Sequence, residues 1–186
     1  MSTLIYFTPM SLDGFIAGET DNMDWSVPDE EVSAFINDRE RPFGTYLYGR
    51  KIYETMKVWE TPEVIPGLTP PMMDFARIWQ AADKIVYSKS LETVATPKTH
   101  LEREFEAQAL RDLKAQLPHD ISVDGTDLAA QVIRAGLVDE YQLLVVPAIL
   151  GGGKRILPSD VVVKLELLEE RRVGNGWVYL RYRTRV

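Results

Sequence analysis

A strand passes through a glycine into a helix in the segment Thr45-Tyr46-Leu47-Tyr48-Gly49-Arg50-Lys51-Ile52-Tyr53-Glu54. A second segment, Ile121-Ser122-Val123-Asp124-Gly125-Thr126-Asp127-Leu128-Ala129, has the same order of apolar strand, glycine and helix start. The glycine lets the backbone turn sharply and lets a ligand approach the main chain, while the free N–H groups of the following helix favour an anion. Two such junctions, one of them followed by two cations, predict a ligand with more than one phosphate group. A dinucleotide is the obvious candidate.

Strands and helices alternate on both sides of these junctions. Apolar runs rich in β-branched and aromatic residues predict strands at 3–9, 46–48, 84–88, 121–123 and 140–150. Helical spacing and capping signals predict five helices. One begins at Asp29, and the others cover 50–56, 72–82, 105–117 and 127–135. Thr126 is the natural N-cap of the last helix and Gly136 its C-terminal stop.

The chain ends in a predicted hairpin, with strands at 163–173 and 177–183 around the turn Gly174-Asn175-Gly176. Four prolines predict a loop over 59–71, and His100 and His119 are expected in solvated loops. The pattern predicts one α/β domain over residues 1–186, with a mixed, largely parallel central sheet flanked by helices and a C-terminal antiparallel hairpin.

Charge and composition narrow the classes of function. The 186 residues carry a formal net charge of -7 and a sequence pI of about 4.9, which argues against a nucleic-acid binder. Cysteine is absent, and the two histidines offer no metal site, so none is expected. No basic residue precedes Arg39, and no apolar run approaches the roughly 20 residues of a membrane span. A cytoplasmic protein with no membrane or nucleic-acid partner is expected.

Three polar segments at strand ends could hold phosphate groups. Arg50 and Lys51 after Gly49 could neutralise a phosphate, or be two solvated cations beyond a turn, and the two interpretations are about equally favoured. Ser88-Lys89-Ser90 follows a strand, where ligands of open α/β sheets lie, although a strand exit alone explains it. At the third segment, Gly125-Thr126-Asp127, the carboxylates of Asp124 and Asp127 oppose phosphate binding unless both point away.

Two further segments bear on chemistry. Trp25 and Pro28 precede Asp29-Glu30-Glu31, where one acid can point inward and bind a heterocycle or relay a proton, but the residues alone barely choose among the three. The competing interpretation is that these acids only complement the helix dipole. The run Gly151-Gly152-Gly153-Lys154-Arg155 lacks the spacing of a Walker loop and predicts a flexible loop, at most the rim of a pocket.

Taken in order, these motifs resemble the dihydrofolate-reductase-like superfamily. They are most similar to the C-terminal reductase domain of the bifunctional riboflavin-biosynthesis deaminase–reductase. The motifs that carry the resemblance are Ser11-Leu12-Asp13-Gly14-Phe15-Ile16-Ala17, Gly49-Arg50-Lys51 with Tyr53 and Glu54, Lys84-Ile85-Val86-Tyr87-Ser88, Gly125 with Leu128, and Gly136-Leu137-Val138-Asp139-Glu140 continuing through Pro147 to Gly151-Gly152-Gly153.

The resemblance implies an eight-stranded mixed sheet that binds NADPH, and a homodimer formed through C-terminal strands. It implies a nicotinamide bordered by the segment 11–17, through Ser11, Leu12, Ile16 and Ala17. The setting of Glu30 after Trp25 and Pro28 is similar to that of the substrate-binding acid in dihydrofolate reductases, which favours Glu30 over Asp29. Glu30 and Asp13 are the catalytic candidates. It also implies phosphate contacts from Gly49, Arg50 and Lys51, an adenosine 2′-phosphate at Ser88, Lys89 and Ser90, and a pyrophosphate at Gly125, Thr126 and Leu128. Asp124 departs from the small residue common there, and the zinc deaminase half is missing because the chain has no cysteine.

We therefore expect an NADPH-dependent reductase of a small heterocyclic metabolite, either a pyrimidine of the 5-amino-6-ribosylaminouracil type or a pterin related to dihydrofolate. The cofactor would supply the hydride, and water would deliver the proton. The alternative is a dimeric nucleotide-binding protein without turnover, which would keep the phosphate contacts but tolerate loss of the acid cluster.

Overall fold

A central sheet of eight strands organises the computed structural model, which describes residues 2–18 and 24–185. The strand order is β5-β4-β3-β6-β1-β7-β10-β9. The first six of these strands are parallel, while β10 pairs antiparallel with β7 and β9 antiparallel with β10. The predicted α/β class, the largely parallel sheet and the C-terminal hairpin are confirmed.

The elements have the following bounds. The strands are β1 (Leu4–Ser11), β2 (Phe15–Ala17), β3 (Phe43–Gly49), β4 (Asp83–Tyr87), β5 (Thr99–Glu102), β6 (Asp120–Asp124), β7 (Glu140–Val146), β8 (Lys154–Arg155), β9 (Leu165–Val173) and β10 (Trp177–Thr184). The helices are α1 (Glu30–Glu40), α2 (Arg50–Met56), α3 (Pro70–Ala81), α4 (Ala107–Gln116) and α5 (Thr126–Arg134). Strands β2 and β8 pair with each other outside the main sheet.

Helices cover both faces of the sheet. Val32 and Phe35 of α1 and Trp79 of α3 pack on one face, which we call the α1–α3 face. Leu110 of α4 and Leu128 of α5 pack on the opposite, α4–α5 face. Residues of one strand alternate between these two cores, as pleated strands require.

Several local predictions need correction. Gly125, not Thr126, is the N-cap of α5, and its positive φ of 92° explains why a glycine stands there. The 59–71 loop contains two short 3-10 turns, and α3 begins inside it at Pro70 because Thr69 caps the helix by accepting from the Met72 N–H. The strand predicted to reach Leu150 ends at Val146.

The prediction of solvated loop positions has a different outcome for each histidine. His100 lies in β5, which the sequence pattern missed. His119 lies in the loop between α4 and β6, as predicted, but it is half-buried. It hydrogen-bonds Thr45 Oγ1 through Nε2 at 3.0 Å and packs where a side chain at Gly44 would otherwise lie.

Within the described residues, no helix combines the length and the apolar character that crossing a membrane requires.

Candidate functional site

Four neighbouring parallel strands end on the same side of the sheet. They are β1, β3, β4 and β6, with their last residues at Ser11, Gly49, Tyr87 and Asp124. We call this side the carboxyl edge. Ligands of open α/β sheets bind outside the carboxyl ends of the strands, so the candidate site lies here.

The two glycine junctions meet at the carboxyl edge. A Cβ built on Gly125 would lie 3.2 Å from Ile52 Cγ2 and 3.6 Å from the backbone nitrogen of Gly49. A Cβ built on Gly49 would have no atom within 4 Å. Gly125 is therefore required by its positive φ and packs closely against Ile52, whereas Gly49 borders open space that a ligand could fill.

A buried hydroxyl group points to a ligand at the second junction. Thr126, the first residue of α5, is buried, and its Oγ1 has no hydrogen-bond partner among the described residues. Buried polar groups are almost always hydrogen-bonded, so this hydroxyl fits an oxygen supplied by a bound molecule. Because α5 begins here with its free N–H groups, a phosphate of a dinucleotide fits the donor set. The Leu128 side chain lies in the α4–α5 core, which leaves only its backbone for such a contact.

The cation after the first junction reaches the polar segment after β4. Arg50 Nη1 donates to Ser90 Oγ at 2.8 Å, while its Nε donates to Glu54 at 2.9 Å. Ser88 Oγ accepts from the N–H groups of Ser90 and Leu91 and shapes this turn. The structure thus brings together residues that lie about 40 positions apart in the sequence.

The other cationic side chains near Arg50 and Ser90 differ in their partners. Lys89 pairs with Glu104 at 2.9 Å, and Lys51 is exposed on α2 without an ion pair to another described residue. Arg103 Nη1 donates to the carbonyl oxygens of Ser88 and Leu91, at 3.3 and 2.6 Å. The sequence analysis missed Arg103 because β5, which precedes it, was not predicted.

A groove of about 510 Å³ opens beside Arg103 on the α4–α5 face. Its lining mixes the apolar side chains Ile85, Leu101 and Leu113 with Tyr87 and charged residues such as Glu102 and Glu104.

Asp13 ties the β1–β2 turn to the glycine run. Its carboxylate accepts from Ser11 Oγ at 2.6 Å, from the Leu150 N–H at 3.1 Å and from the Gly151 N–H at 2.7 Å. These hydrogen bonds, led by that from Ser11, lower the pKa of Asp13 to about 2. Both carboxylate oxygens are thus engaged within the protein.

The glycine run is anchored at its other end as well. Lys154 and Arg155 pair with β2, and a Cβ on Gly153 would collide with the Ala17 carbonyl oxygen. The prediction of a flexible loop is therefore wrong for this part of the run. Ala17 is buried, Ile16 is half-buried and Leu12 is 64% exposed, so the segment 11–17 offers an apolar surface at the carboxyl edge.

The acid cluster at the start of α1 does not enter the protein. Asp29 caps the helix by accepting from the Val32 N–H at 2.8 Å, and it contacts the turn at Gly174. Glu30 and Glu31 are exposed, while Trp25 packs against the α1–α3 core. The expected inward-pointing acid among these three residues is not observed.

Two other carboxyl groups do face the α1–α3 core. Glu40 accepts from Tyr46 Oη at 2.8 Å, and Asp124 accepts from Ser122 Oγ at 2.9 Å. Burial raises the pKa of Asp124 to about 7. Burial and the charge of Asp124 together raise the pKa of Glu40 to about 8. No local pattern of residues indicates this pair, because its burial comes from side chains that are distant in the chain.

The environments of Asp124 and Asp127 weaken the objection to phosphate binding at Gly125. Burial raises the pKa of Asp124 to about 7, so a substantial fraction of this side chain is protonated at neutral pH. Asp127 is almost fully exposed, and Lys154 lies 3.7 Å from its carboxylate. The two side chains therefore oppose a phosphate less than two fully charged, unpaired carboxylates would.

No group of three or more His, Cys, Asp or Glu side chains suited to a metal ion occurs in residues 2–18 and 24–185.

Comparison with known proteins adds independent information. The family model described as the RibD C-terminal domain matches residues 2–179. The uncharacterized protein YyaP of Bacillus subtilis (strain 168) is 28% identical over 181 residues, covering 93% of this chain and 90% of that protein.

Solved structures share the fold at low identity. A protein assigned to riboflavin biosynthesis from Shewanella sp. PV-4 superposes with a TM-score of 0.75 at 18% identity, over 100% of both chains. A dihydrofolate reductase from Enterococcus faecalis, solved with NADP(H) and RAB-propyl, superposes with a TM-score of 0.63 at 14% identity, over 99% of this chain and 97% of that one.

Proposed function

Because the chain belongs to the RibD C-terminal domain family, we propose that it is an NADPH-dependent reductase of a small heterocyclic metabolite. The candidates are a pyrimidine of the 5-amino-6-ribosylaminouracil type and a pterin related to dihydrofolate. The complex of the E. faecalis dihydrofolate reductase with NADP(H) supports the choice of coenzyme, because that protein shares the fold.

The observation that carries this proposal is the convergence of both glycine junctions at the carboxyl edge. The Gly125 position lies against Gly49, the Thr126 hydroxyl lacks a partner among the described residues, and Arg50 reaches Ser90. Gly125 and Thr126 form one donor set, and Arg50 and Ser90 form the other. A single phosphate would need only one of these donor sets. A coenzyme with a pyrophosphate and a separate 2′-phosphate would use both.

Each donor set has a separate role in this proposal. Arg50, Lys89 and Ser90 hold the 2′-phosphate, with Ser88 fixing the turn that carries them. The Thr126 hydroxyl and the backbone of Gly125 and Leu128 hold the pyrophosphate. Gly49 leaves room between the two sets, and Lys51 adds charge from the surface of α2.

The β1–β2 turn would border the reacting ring. The coenzyme supplies a hydride when bound, and the protein aligns it with the substrate and excludes water. Leu12, Ile16 and Ala17 provide the apolar border. Asp13 is then a positioning residue, since its carboxylate is engaged by Ser11, Leu150 and Gly151. Glu30 could orient the substrate only from an exposed position at the start of α1.

We also propose a homodimer through the C-terminal hairpin. Strand β9 is the last strand of the sheet, and Leu167, Leu168 and Val178 are exposed apolar residues on the hairpin. Sedimentation equilibrium should give a mass twice that of the 21.2 kDa chain. The variant Leu167→Lys should have the mass of a single chain, because it places a charge on the exposed apolar surface. A wild-type monomer at micromolar concentration would refute this arrangement.

Coenzyme discrimination tests the proposed function. NADPH and NADH are titrated against the fluorescence of the four tryptophans in the wild type, Arg50→Gln and Lys51→Gln. A charge-assisted hydrogen bond is worth about 1.5–3 kcal/mol, so Arg50→Gln should weaken NADPH binding about 10-fold or more and NADH binding by less than about 2-fold. Lys51→Gln, one residue away, removes an exposed charge that makes no ion pair with another described residue, and it should weaken NADPH binding less than Arg50→Gln does because solvent screens an exposed charge.

Turnover separates the reductase from a nucleotide-binding protein. Loss of NADPH absorbance with either candidate substrate would support the reductase. Tight NADPH binding without oxidation by pyrimidines or pterins would favour the non-catalytic alternative. Equal losses for NADPH and NADH in Arg50→Gln would contradict the assignment of Arg50 to the 2′-phosphate.

A further inference from the structure

Asp124 occupies an unusual position for a buried acid. It is the last residue of β6, directly before Gly125, and it keeps part of its surface accessible at the carboxyl edge. Ser122 donates to Oδ2, and Oδ1 has no hydrogen-bond partner among the described residues. One carboxyl oxygen is therefore available to a molecule bound beside the glycine junction.

The groups around Asp124 do not stabilise its ionised form. Asp124 acts electrostatically on side chains of α1, β1 and β3, which are Glu40, Tyr6, Tyr46 and Tyr48. Trp79 of α3 faces the same region and donates to Tyr48 Oη at 3.0 Å. The titratable side chains among these are carboxyl and phenol groups, and burial raises the pKa of each of them. Among the described residues, the Ser122 hydroxyl alone favours the carboxylate.

Two carboxylates with a structural role in this protein have a cationic partner. Glu140 is buried, and both of its oxygens accept from Arg181, at 2.8 and 2.9 Å. Asp139 pairs with Lys114 at 2.6 Å and accepts from the Leu4 N–H at 2.7 Å. Buried charges are normally compensated in this way, whereas an uncompensated acid at a cleft is a functional candidate.

Resting on the proposed function, we propose that Asp124 is the acid that protonates the substrate, with Glu40 as a second proton-holding group behind it. The reduced bond is then a C=O or C=N bond, whose oxygen or nitrogen takes up a proton when a hydride adds to the carbon. A hydride adds to the carbon, the π-electron pair moves to the oxygen or nitrogen, and that atom takes the proton from Asp124. The resulting carboxylate regains a proton from water after the product leaves. This replaces water as the proton donor expected from the sequence.

The geometry favours this role because of what lies on either side of Asp124. Strand β6 is adjacent to β1, whose end carries Ser11 and the apolar segment proposed to border the reacting ring. On the other side, Asp124 is in register with Tyr48, one residue before Gly49. Strand β6, which carries the acid, thus lies between the strand that leads to the proposed hydride site and the strand that ends at Gly49.

Substitution of Asp124 tests the proposal with a matched control three residues away. Asp124→Asn removes the acid, while Asp127→Asn removes an exposed carboxylate from the first turn of the same helix. The affinity for NADPH is measured from pH 6 to 9, together with kcat and KM. In the wild type and Asp127→Asn, NADPH binding should weaken as pH rises through the Asp124 titration, because a carboxylate then faces the coenzyme.

Asp124→Asn should lose that part of the pH dependence of binding. Its kcat should fall about 100-fold or more, which is the usual contribution of a general acid. Glu40→Gln preserves an acceptor for Tyr46 and should lower kcat less. Carbon-13 spectra of the coenzyme-free protein should show an aspartate carboxyl titrating near neutral pH that Asp124→Asn removes.

Ser122→Ala provides a second variant that retains the acid. The serine hydrogen bond stabilises the carboxylate, so its loss should shift the alkaline limb of the kcat/KM profile to higher pH. If NADPH binds and is oxidised but Asp124→Asn keeps both kcat and the pH dependence, the role of Asp124 is refuted and the proposed function stands. If the wild type binds no pyridine nucleotide, both proposals fail.

Discussion

Gly125→Ala probes the contact between the two glycine junctions. Gly125 has a φ of 92°, and an added Cβ would lie 3.2 Å from Ile52 Cγ2 and 3.6 Å from the Gly49 nitrogen. An L-residue held in such a conformation costs about 1–3 kcal/mol. A chain of this size loses about 2–4 °C of Tm per kcal/mol, so the melting temperature should fall by about 2–12 °C.

The same substitution should weaken NADPH binding, because the new methyl group displaces Ile52 next to Gly49 and the positive φ strains the start of α5. A cost of about 1.4 kcal/mol corresponds to a 10-fold loss of affinity, the smallest effect we expect. Gly136→Ala is the matched control, since Gly136 has a φ of 65° but no atom within 4 Å of an added Cβ. It should lose stability and retain binding.

Differential scanning calorimetry and tryptophan fluorescence measure the two effects separately. The reasoning is refuted if Gly125→Ala melts and binds NADPH like the wild type. It is also refuted if both alanine variants lose affinity equally, because the contact at Gly49 would then be irrelevant to binding.

Three further substitutions test the surroundings of the site. Gly153→Ala should disrupt the pairing of β2 with β8 and speed proteolysis near Ala17, because its Cβ would collide with the Ala17 carbonyl oxygen. Gly152→Ala is the control, since a Cβ there would meet no atom within 4 Å. Equal rates of cleavage in the two variants would contradict the packing at Gly153. Asp13→Ala should increase hydrogen exchange at the Leu150 and Gly151 amides, whereas unchanged protection would show that the carboxylate does not hold the run. The raised pKa values of Asp124 and Glu40 mean that the folded state binds more protons than the unfolded state, so their contribution to stability is lost as pH rises from about 4 to about 8. Urea unfolding of Asp124→Asn should show a smaller decline over that interval, and an identical slope would contradict the burial of the acid.

Local sequence signals predicted the elements that are long or clearly bounded. Helix α2 has the predicted bounds, because Gly49 ends the strand and the residues that follow favour a helix. The hairpin of β9 and β10 follows from its Gly-Asn-Gly turn. Strand β5 was missed because its four residues alternate only between half-buried and exposed positions. The pair of β2 and β8 was missed because the strands have three and two residues.

The candidate site was predictable where it depends on backbone turns. Gly49 and Gly125 could be identified from sequence because both stand between a strand and a helix. The partnership of Arg50 with Ser90 and the burial of Asp124 depend on which strands become neighbours in the sheet. The acids at the start of α1 only complement the helix dipole and cap the helix, whereas the buried acid is its last residue, Glu40, which accepts a hydrogen bond from Tyr46 of β3. Such long-range contacts leave no periodic pattern in the sequence.

A crystal structure of the protein with NADPH tests the central claim most directly. We predict the 2′-phosphate within about 3 Å of Arg50 and Ser90, and pyrophosphate oxygens at the same distance from the Thr126 hydroxyl. A coenzyme bound away from the carboxyl edge, or one that leaves either donor set without a phosphate, would contradict the account.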